Sequence, residues 1–352
     1  MSELLRDLWY FAATSRELKR GKMFRHEILG EPVLLGRDAE GRAFALRDIC
    51  PHRAVPLSAG RIEETNGVQT VECPYHGWRF GTQDGVCRQI PSLVEGQPYE
   101  ANRIRVRHYP THEANGIVLV FVSSDPRFTE APPPAPEFGL DDLTEPKFVI
   151  ERIFAATMDN AVVGLMDPAH VPYVHNQWWW RPPSAGRKLK QKRFVPRERG
   201  WAIERHAPSG NSLAYRMLFG GQVTTEISFM LPGFRWEVVD NPHSRLFTLT
   251  CLTPENESST RITQVTYWKN APLLDVLKPI LIPAGREFLD QDGRMVDLQN
   301  TGLKYGPSML WIDDIDVQAK WYLKLKREWT KSREEKRDFV NPIQPTTLKW
   351  MS

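Results

Sequence analysis

The chain has 352 residues, 41% of them apolar, and a formal net charge of +3 from 46 basic and 43 acidic side chains. That length allows one very large core or two ordinary ones, and a charge so close to balance gives no electrostatic footprint for nucleic acid. The first twenty residues mix Glu, Arg and Asp with short apolar pieces and hold no apolar signal segment, and no stretch is long and uncharged enough to cross a bilayer. A reducing cytoplasm is therefore the expected compartment.

In chain order, the first third reads as short strands broken by turns. Val33 to Leu35 and Ala43 to Arg47 flank the turn Asp38-Ala39-Glu40-Gly41, and Val68 to Glu72 runs into a Cys-Pro loop. Trp78-Arg79-Phe80 precedes the turn Gln83-Asp84-Gly85. Ile104 to Tyr109 and Ile117 to Phe121 lie on either side of Asn115-Gly116. No crossover helices separate these pieces, so the expectation is an antiparallel domain over 1–125 and not a parallel α/β one. The proline-rich stretch 126–136 predicts an extended, semi-rigid connector, followed by a second domain over 137–352.

In that second part, Phe148 to Phe154 reads as a strand and Asp159 to Ala169 as a helix stopped near Pro172. Leu213 to Phe219, Val223 to Met230, Arg245 to Leu252 and Arg261 to Tyr267 suggest one broad antiparallel sheet. Pro283 to Asn300 predicts a long helix with Pro at its start and Gly302 just past its end, and Ile315 to Glu328 another helix. The basic run Arg187 to Arg193 reads as a solvated face or a docking patch. Cys87 and Cys251 are expected as free, packed thiols.

The chemistry concentrates in two places. Cys50-Pro51-His52 and Cys73-Pro74-Tyr75-His76 present two thiolates and two imidazoles from two short loops. Zinc in a Cys2His2 arrangement is one reading; the other is a two-iron cluster with two Cys on one iron and two His on the other. Pro51 and Pro74 stiffen the loops, and Gly77 permits an unusual backbone or a close approach to a cluster. The pattern C-x-H followed by C-x2-H resembles that of the Rieske family. That resemblance implies a [2Fe-2S] centre held by Cys50, His52, Cys73 and His76, tuned by backbone N–H groups of both loops.

The second place is Asp167-Pro168-Ala169-His170, with His175 five residues further on. Two imidazoles at this spacing can converge on one ion, and a carboxylate would complete the two-His-one-carboxylate face of non-haem Fe(II). A His-x4-His pair alone is more often a pair of ordinary histidines. The periodicity of the late helix does not separate Asp290 from Asp292 as the third ligand.

The segment Leu165 to His175 is similar to the pheophorbide a oxygenase and cell-death-suppressor branch of Rieske oxygenase large subunits, whose relatives include bacterial aromatic-ring oxygenases and O-demethylases. The resemblance implies an α+β chain: an N-terminal antiparallel β Rieske domain, then a helix-grip-like catalytic domain with a broad antiparallel sheet and iron-binding helices. It selects Asp292, because Gln291-Asp292 and Gln299 match the family's helix pattern. It gives Asp167 the link between His170 and the cluster-binding His76 of a neighbouring subunit, and hence a head-to-tail homotrimer. Gly164 departs from the family, which commonly carries Asn there.

The resemblance further implies a terminal oxygenase that hydroxylates or O-demethylates an aromatic compound. It would use dioxygen and electrons from NAD(P)H through a separate reductase, with or without a ferredoxin. No G-x-G-x-x-G fingerprint places a nucleotide on this chain. Cis-dihydroxylation is the alternative outcome, and an electron carrier without oxygenase activity the competing class. Trp178, Trp179 and Trp180 could wall a planar site, although consecutive residues cannot all face one pocket. Met230, Phe219 and Phe234 are further wall candidates, and Arg181, Arg205 and His206 could meet a carboxylate.

Overall fold

The computed structural model describes residues 4–175, 187–207 and 222–352. Two compact units account for them, one over Arg6–Glu137 and one over Phe138–Ser352 together with the residues before Arg6.

The first unit is all antiparallel. Its strands are β1 (Leu8–Thr14), β2 (Lys22–Ile28), β3 (Glu31–Arg37), β4 (Ala43–Arg47), β5 (Arg61–Thr65), β6 (Val68–Glu72), β7 (Arg79–Gly81), β8 (Cys87–Gln89), β9 (Thr111–Ala114) and β10 (Ile117–Val122). They form three sheets in the orders β1-β10-β9, β2-β3-β4 and β5-β6-β7-β8. Leu34, Phe44, Leu46, Leu57, Val71 and Phe80 close one core, and Cys50, Cys73 and Cys87 are buried in the same cluster. Burying each such aliphatic or aromatic side chain is worth about 1.5–3 kcal/mol, so the loops that carry Cys50 and Cys73 are anchored at their roots.

One expected strand does not form. Ile104 to Tyr109 makes only isolated bridges, Leu46 with His108 and Val86 with Arg105. The backbone explains this. Ile104 O and Val106 N bond Cys87 and Gly85, while Arg107 O and Tyr109 N bond Arg47 and Ala45. A segment shared between two sheets cannot build a continuous ladder with either.

The second unit is a sheet wrapped by helices. Its strands are β11 (Phe148–Phe154), β12 (Leu189–Arg197), β13 (Gly200–His206), β14 (Thr224–Met230), β15 (Phe234–Asp240), β16 (Arg245–Asn256), β17 (Ser259–Lys269) and β18 (Thr346–Met351). They form one eight-stranded sheet in the order β11-β17-β16-β15-β14-β13-β12-β18, with every pairing antiparallel. The expected strand Leu213 to Phe219 lies outside the described residues.

The helices are α1 (Met158–Met166), α2 (Val171–Val174), α3 (Pro272–Leu303) and α4 (Val317–Glu334). The Thr157 side chain caps α1 by accepting from Asn160 N. The helix stops at Met166, three residues before the expected end, because Pro168 pushes Asp167 out of helical space to ψ 119°. The long helix α3 starts eleven residues earlier than expected, with Pro272 in its first turn and Pro279 and Pro283 inside it. Leu274 and Leu281 of this extra stretch pack with Val223, Val239 and Trp268, and that burial offsets the poor propensity of the two prolines. Gly293 lets α3 lie close on β11. A Cβ there would stand 2.2 Å from the Arg152 guanidinium. Among the described residues, no helix is long and apolar enough to cross a membrane.

Candidate metal centres

Both loops of the first unit are closed by their own backbone. Cys50 N donates to Val55 O (2.9 Å) and Ala54 N to Cys50 O (2.8 Å); Cys73 N donates to Trp78 O (2.8 Å) and Gly77 N to Cys73 O (3.1 Å). Gly77 takes φ +70° to close its turn. Both cysteines are buried, at 2% and 3% exposure. Burial, with the Cys73 thiol beside it, pushes the Cys50 thiol up to about 11. Paired buried thiols of this kind become thiolates when a metal stabilises the charge.

The imidazoles of His52 and His76 are also paired, with ring centroids 4.5 Å apart, and His52 stacks on Trp78 at 4.6 Å and 6°. His52 Nδ1 is buried and has no hydrogen-bond partner. Such an orphan fits a nitrogen that serves a metal. The donors thus form a thiol pair and an imidazole pair. Among the described residues, the one group of three or more donors that converges within 4.8 Å lies elsewhere. Two pairs suit a two-iron cluster better than a single zinc ion.

That converging group is His170, His175 and Asp292. His170 Nε2 lies 3.3 Å from His175 Nε2. Asp292 Oδ1 lies 3.1 Å from His175 Nε2 and 3.6 Å from His170 Nε2. Three mutually cis ligands at about 2.1 Å from an octahedral ion stand about 3.0 Å apart. The arrangement therefore fits a facial triad with little adjustment. The four-residue helix α2, bounded by His170 and His175 and carrying Pro172, sets the two rings; α3 brings the carboxylate.

Each imidazole has a neighbour that orients it. His175 is 1% exposed. It stacks on Phe288 at 3.5 Å and 14°, and its Nδ1 meets Gln291 Oε1 at 2.9 Å. A carbonyl oxygen only accepts, so His175 Nδ1 carries the proton and Nε2 is free for metal. Asp167 Oδ2 is 3.7 Å from His170 Nδ1, and Asp167 Oδ1 accepts from Ala169 N (2.7 Å). Burial pulls the His170 imidazole down, but Asp167 and Asp292 outweigh it and hold it above its ordinary value. A metal ion must displace that proton.

Two cavities of about 490 and 460 Å³ share Asp167, His170 and Asp292 as walls. The first is apolar, with Phe154, Leu289 and Met295, and includes Gly164. The second lies between the sheet and α3, with Phe148, Trp268 and Phe288 beside Thr248, Gln264 and Lys192.

The other sequence candidates fall as follows. Trp178, Trp179, Trp180, Arg181 and Phe219 lie outside the described residues. Met230 is not brought to either cavity. Thr225 and Ile227 of β14 face the second cavity, and Met230, three positions on in an unbroken ladder, points the other way; its sulfur lies 4.0 Å from Arg199. Phe234, opposite Met230, packs on Phe138 at 5.0 Å. Arg205 pairs with Asp240 at 3.2 Å and Glu226 at 3.7 Å, while His206 lines the second cavity. Asp290 is occupied by Arg152. Cys87 and Cys251 are free and buried.

Sequence reasoning used Gln291 only as part of the helix pattern that selects Asp292 and gave it no contact with His175, and it missed Phe288, whose one signal was its position four residues before Asp292. It also misplaced the basic run. As β12 it alternates, so Lys190 and Lys192 face the second cavity while Leu189, Gln191 and Arg193 face out.

Residues 8–110 match the Rieske [2Fe-2S] domain and residues 154–326 the vanillate O-demethylase oxygenase C-terminal domain. Chlorophyllide a oxygenase of Oryza sativa subsp. japonica is 30% identical over 183 residues, 51% of this chain and 31% of that protein. The 3-chlorobenzoate-3,4-dioxygenase oxygenase subunit of Comamonas testosteroni is 31% identical over 179 residues, 50% of this chain and 39% of that protein. The match thus spans about half of this chain and 31–39% of the length of these curated relatives. Among solved structures, dicamba monooxygenase bound to dicamba superposes with a TM-score of 0.72 at 22% identity, covering 95% of this chain and 99% of the other. The QL mutant of Pseudomonas putida CBB5 NdmA with caffeine superposes at 0.70 and 17% identity, covering 94% and 92%. At these identities the structures share the fold.

Proposed function

Because this chain is a Rieske-domain oxygenase related to pheophorbide and chlorophyllide oxygenases and to bacterial aromatic-ring monooxygenases and demethylases, we propose that it is the terminal component of a cytoplasmic system that hydroxylates or O-demethylates a small aromatic compound. The observation that carries this reading is the convergence of His170, His175 and Asp292 within 4.8 Å at the wall of a cavity large enough for an aromatic ring. An electron carrier would need the paired Cys and His but has no use for the triad.

When bound, a [2Fe-2S] cluster supplies electrons singly and a mononuclear non-haem iron supplies activation of dioxygen. The chain's residues do the rest. Cys50 and Cys73, buried in the core, would hold the cluster together with His52 and His76. His170, His175 and Asp292 would hold the mononuclear iron beside the second cavity, where a substrate could sit. Gln291 keeps the His175 proton on Nδ1. Phe148, Trp268 and Phe288 give the substrate flat apolar walls that exclude water.

Asp167 is assigned the link between His170 and the partner subunit's His76 in a head-to-tail homotrimer. Electrons come from NAD(P)H through a separate reductase, with or without a ferredoxin. Cis-dihydroxylation is the second reading, supported by the similarity to the 3-chlorobenzoate-3,4-dioxygenase subunit.

The test is an iron count joined to coupled turnover. Holoprotein should carry three irons per chain, and His170→Ala two with the cluster spectrum intact. Reductase-driven reactions with methoxylated, carboxylated and alkyl aromatics should consume dioxygen in step with product, and with formaldehyde where a methyl ether is cleaved. Normal product yield from His170→Ala would reject the assignment. Asp167→Asn should keep all three irons and slow single-turnover oxidation of the reduced cluster by about 10–100-fold; an unchanged rate removes Asp167 from the route.

A further inference from the structure

We propose that the apolar cavity beside Gly164 is the dioxygen station of this chain: it takes up a small apolar gas from the side of α1 and α3 and delivers it to the triad, while the second cavity holds the organic substrate. The proposal rests on the oxygenase reading and names where its gaseous co-substrate collects and from which side it arrives.

Two cavities reach the same donors from different walls. The first, of about 490 Å³, lies between α1, α3 and the strands β11 and β17, with Ala161, Gly164, Ile262, Leu289 and Val296 among its walls. Leu165, Asp167, His170 and Asp292 belong to both cavities. The side chains of His170 and Asp292 each keep 20% of their surface accessible, whereas His175, which lines the second cavity and not the first, keeps 1%. The first cavity therefore ends on members of the triad that can still be reached.

The cavities differ in what they can hold. Among the described residues, Gln299 is the one polar side chain of the first cavity that the second does not share. The second adds Thr248, Gln264 and Lys192, which can orient a ring with polar substituents; the first has no such set away from the triad. Apolar cavities stay dry and take up small neutral guests such as xenon. Dioxygen is a guest of that kind, uncharged, without a hydrogen-bond donor, and favoured by transfer out of water. Gly164 keeps the space open. It lies inside α1, and a Cβ built on it meets nothing within 4 Å. Glycine weakens a helix relative to alanine, and no close neighbour requires it at this position. What it provides is room: a larger side chain here would enter the cavity.

The experiment uses two gas probes on metal-replete holoprotein. Xenon, located by anomalous scattering in pressurised crystals, should occupy the cavity walled by Gly164, Ile262 and Leu289, and Gly164→Phe should remove it. Nitric oxide, which binds ferrous iron as a stand-in for dioxygen, reports arrival at the metal. Mixed without oxygen with the reduced protein in stopped flow, it should associate about tenfold more slowly in Gly164→Phe, with iron content and the final nitrosyl spectrum unchanged. If Gly164→Phe does not fold, Gly164→Leu, whose side chain suits a helix, carries the same two expectations. A first cavity that stays empty under xenon, xenon that persists in the variant, or a nitric oxide rate that the substitution leaves unchanged would each overturn the proposal. Absence of any nitrosyl spectrum from the unsubstituted protein would overturn the iron reading and the proposal with it. A sound iron site with a misassigned cavity shows instead as a normal nitrosyl spectrum beside a failed xenon or rate arm, so the two failures are told apart.

Discussion

The two metal stations are built on opposite plans. The four candidate donors of the cluster site fall within 27 residues, on two loops that each close with their own backbone bonds. The triad takes two donors from the six residues 170–175 and the third from Asp292, 117 positions further on. Between them the chain builds most of an eight-stranded sheet before α3 returns. A local motif needs only turns and a buried root. A distributed one needs a correctly seated helix, and its orienting contacts, Phe288 and Gln291, travel on that same helix.

The largest expected effect tests whether the stations are independent. Asp292→Ala should abolish product, by about a thousandfold or more if the ion is lost with its carboxylate, while the cluster's visible and reduced-state paramagnetic signals persist. Cys50→Ser should do the converse, removing the cluster signals and sparing the mononuclear metal. Loss of both metals in either variant would show that the stations fold as one and would break the contrast.

This contrast also explains what could be read from the sequence. Cys50, His52, Cys73 and His76 stand out as a candidate set because a cluster loop is defined by neighbours in the chain. The strands Ala43–Arg47 and Val68–Glu72 are visible from alternation and flanking turns for the same reason. Asp290 and Asp292 look alike in sequence, since they differ by about 200° around a helix whose seating is decided by the sheet. Arg152 of β11, which takes Asp290, has no sequence signal linking it to that position. Lys192 was hidden differently. A run of basic residues suggests a solvated surface until a strand sends every second one inward. The start of α3 was misjudged because Pro283 resembles a helix start, and only packing of Leu274 and Leu281 on the sheet carries the helix past it.

A middle-sized effect concerns the orienting shell. Gln291→Leu leaves all three ligands in place but removes the acceptor at His175 Nδ1. Metal affinity, measured with Co(II) in chelator competition, should fall about 10–100-fold, with cluster absorbance unchanged. Gln291→Glu should restore affinity by offering the same acceptor with a charge. Equal affinity in all three proteins would mean that stacking on Phe288 alone fixes the ring.

Acid should weaken the two units unequally. Burial depresses the imidazole of His108 to about 4, with Asp84 opposing it weakly. Its folded value therefore lies below the ordinary one near 6.5, so its contribution is fully present above pH 6.5 and is lost as pH falls from there toward 4. The loss reaches about 3 kcal/mol at most. His108→Gln should flatten that part of the stability profile of the cluster unit, followed by thermal unfolding. An unchanged slope would place the acid sensitivity on other groups.

The smallest effect compares one glycine from each station. Gly77 holds φ +70°, and a Cβ there would stand 3.1 Å from Pro91 Cγ. Gly164 has no such constraint: it sits inside α1 at a helical φ, and a Cβ would meet nothing within 4 Å. Glycine in a helix interior costs about 0.5–1 kcal/mol relative to alanine. Gly164→Ala should therefore raise the melting temperature of the catalytic unit by about 1–3 °C, whereas Gly77→Ala should lower that of the cluster unit. Iron content should not change in Gly164→Ala, since the added methyl points into open space in the apolar cavity and not at His170 or Asp292. If Gly164→Ala instead destabilised the protein, the added methyl would be meeting a neighbour and the space beside α1 would not be open.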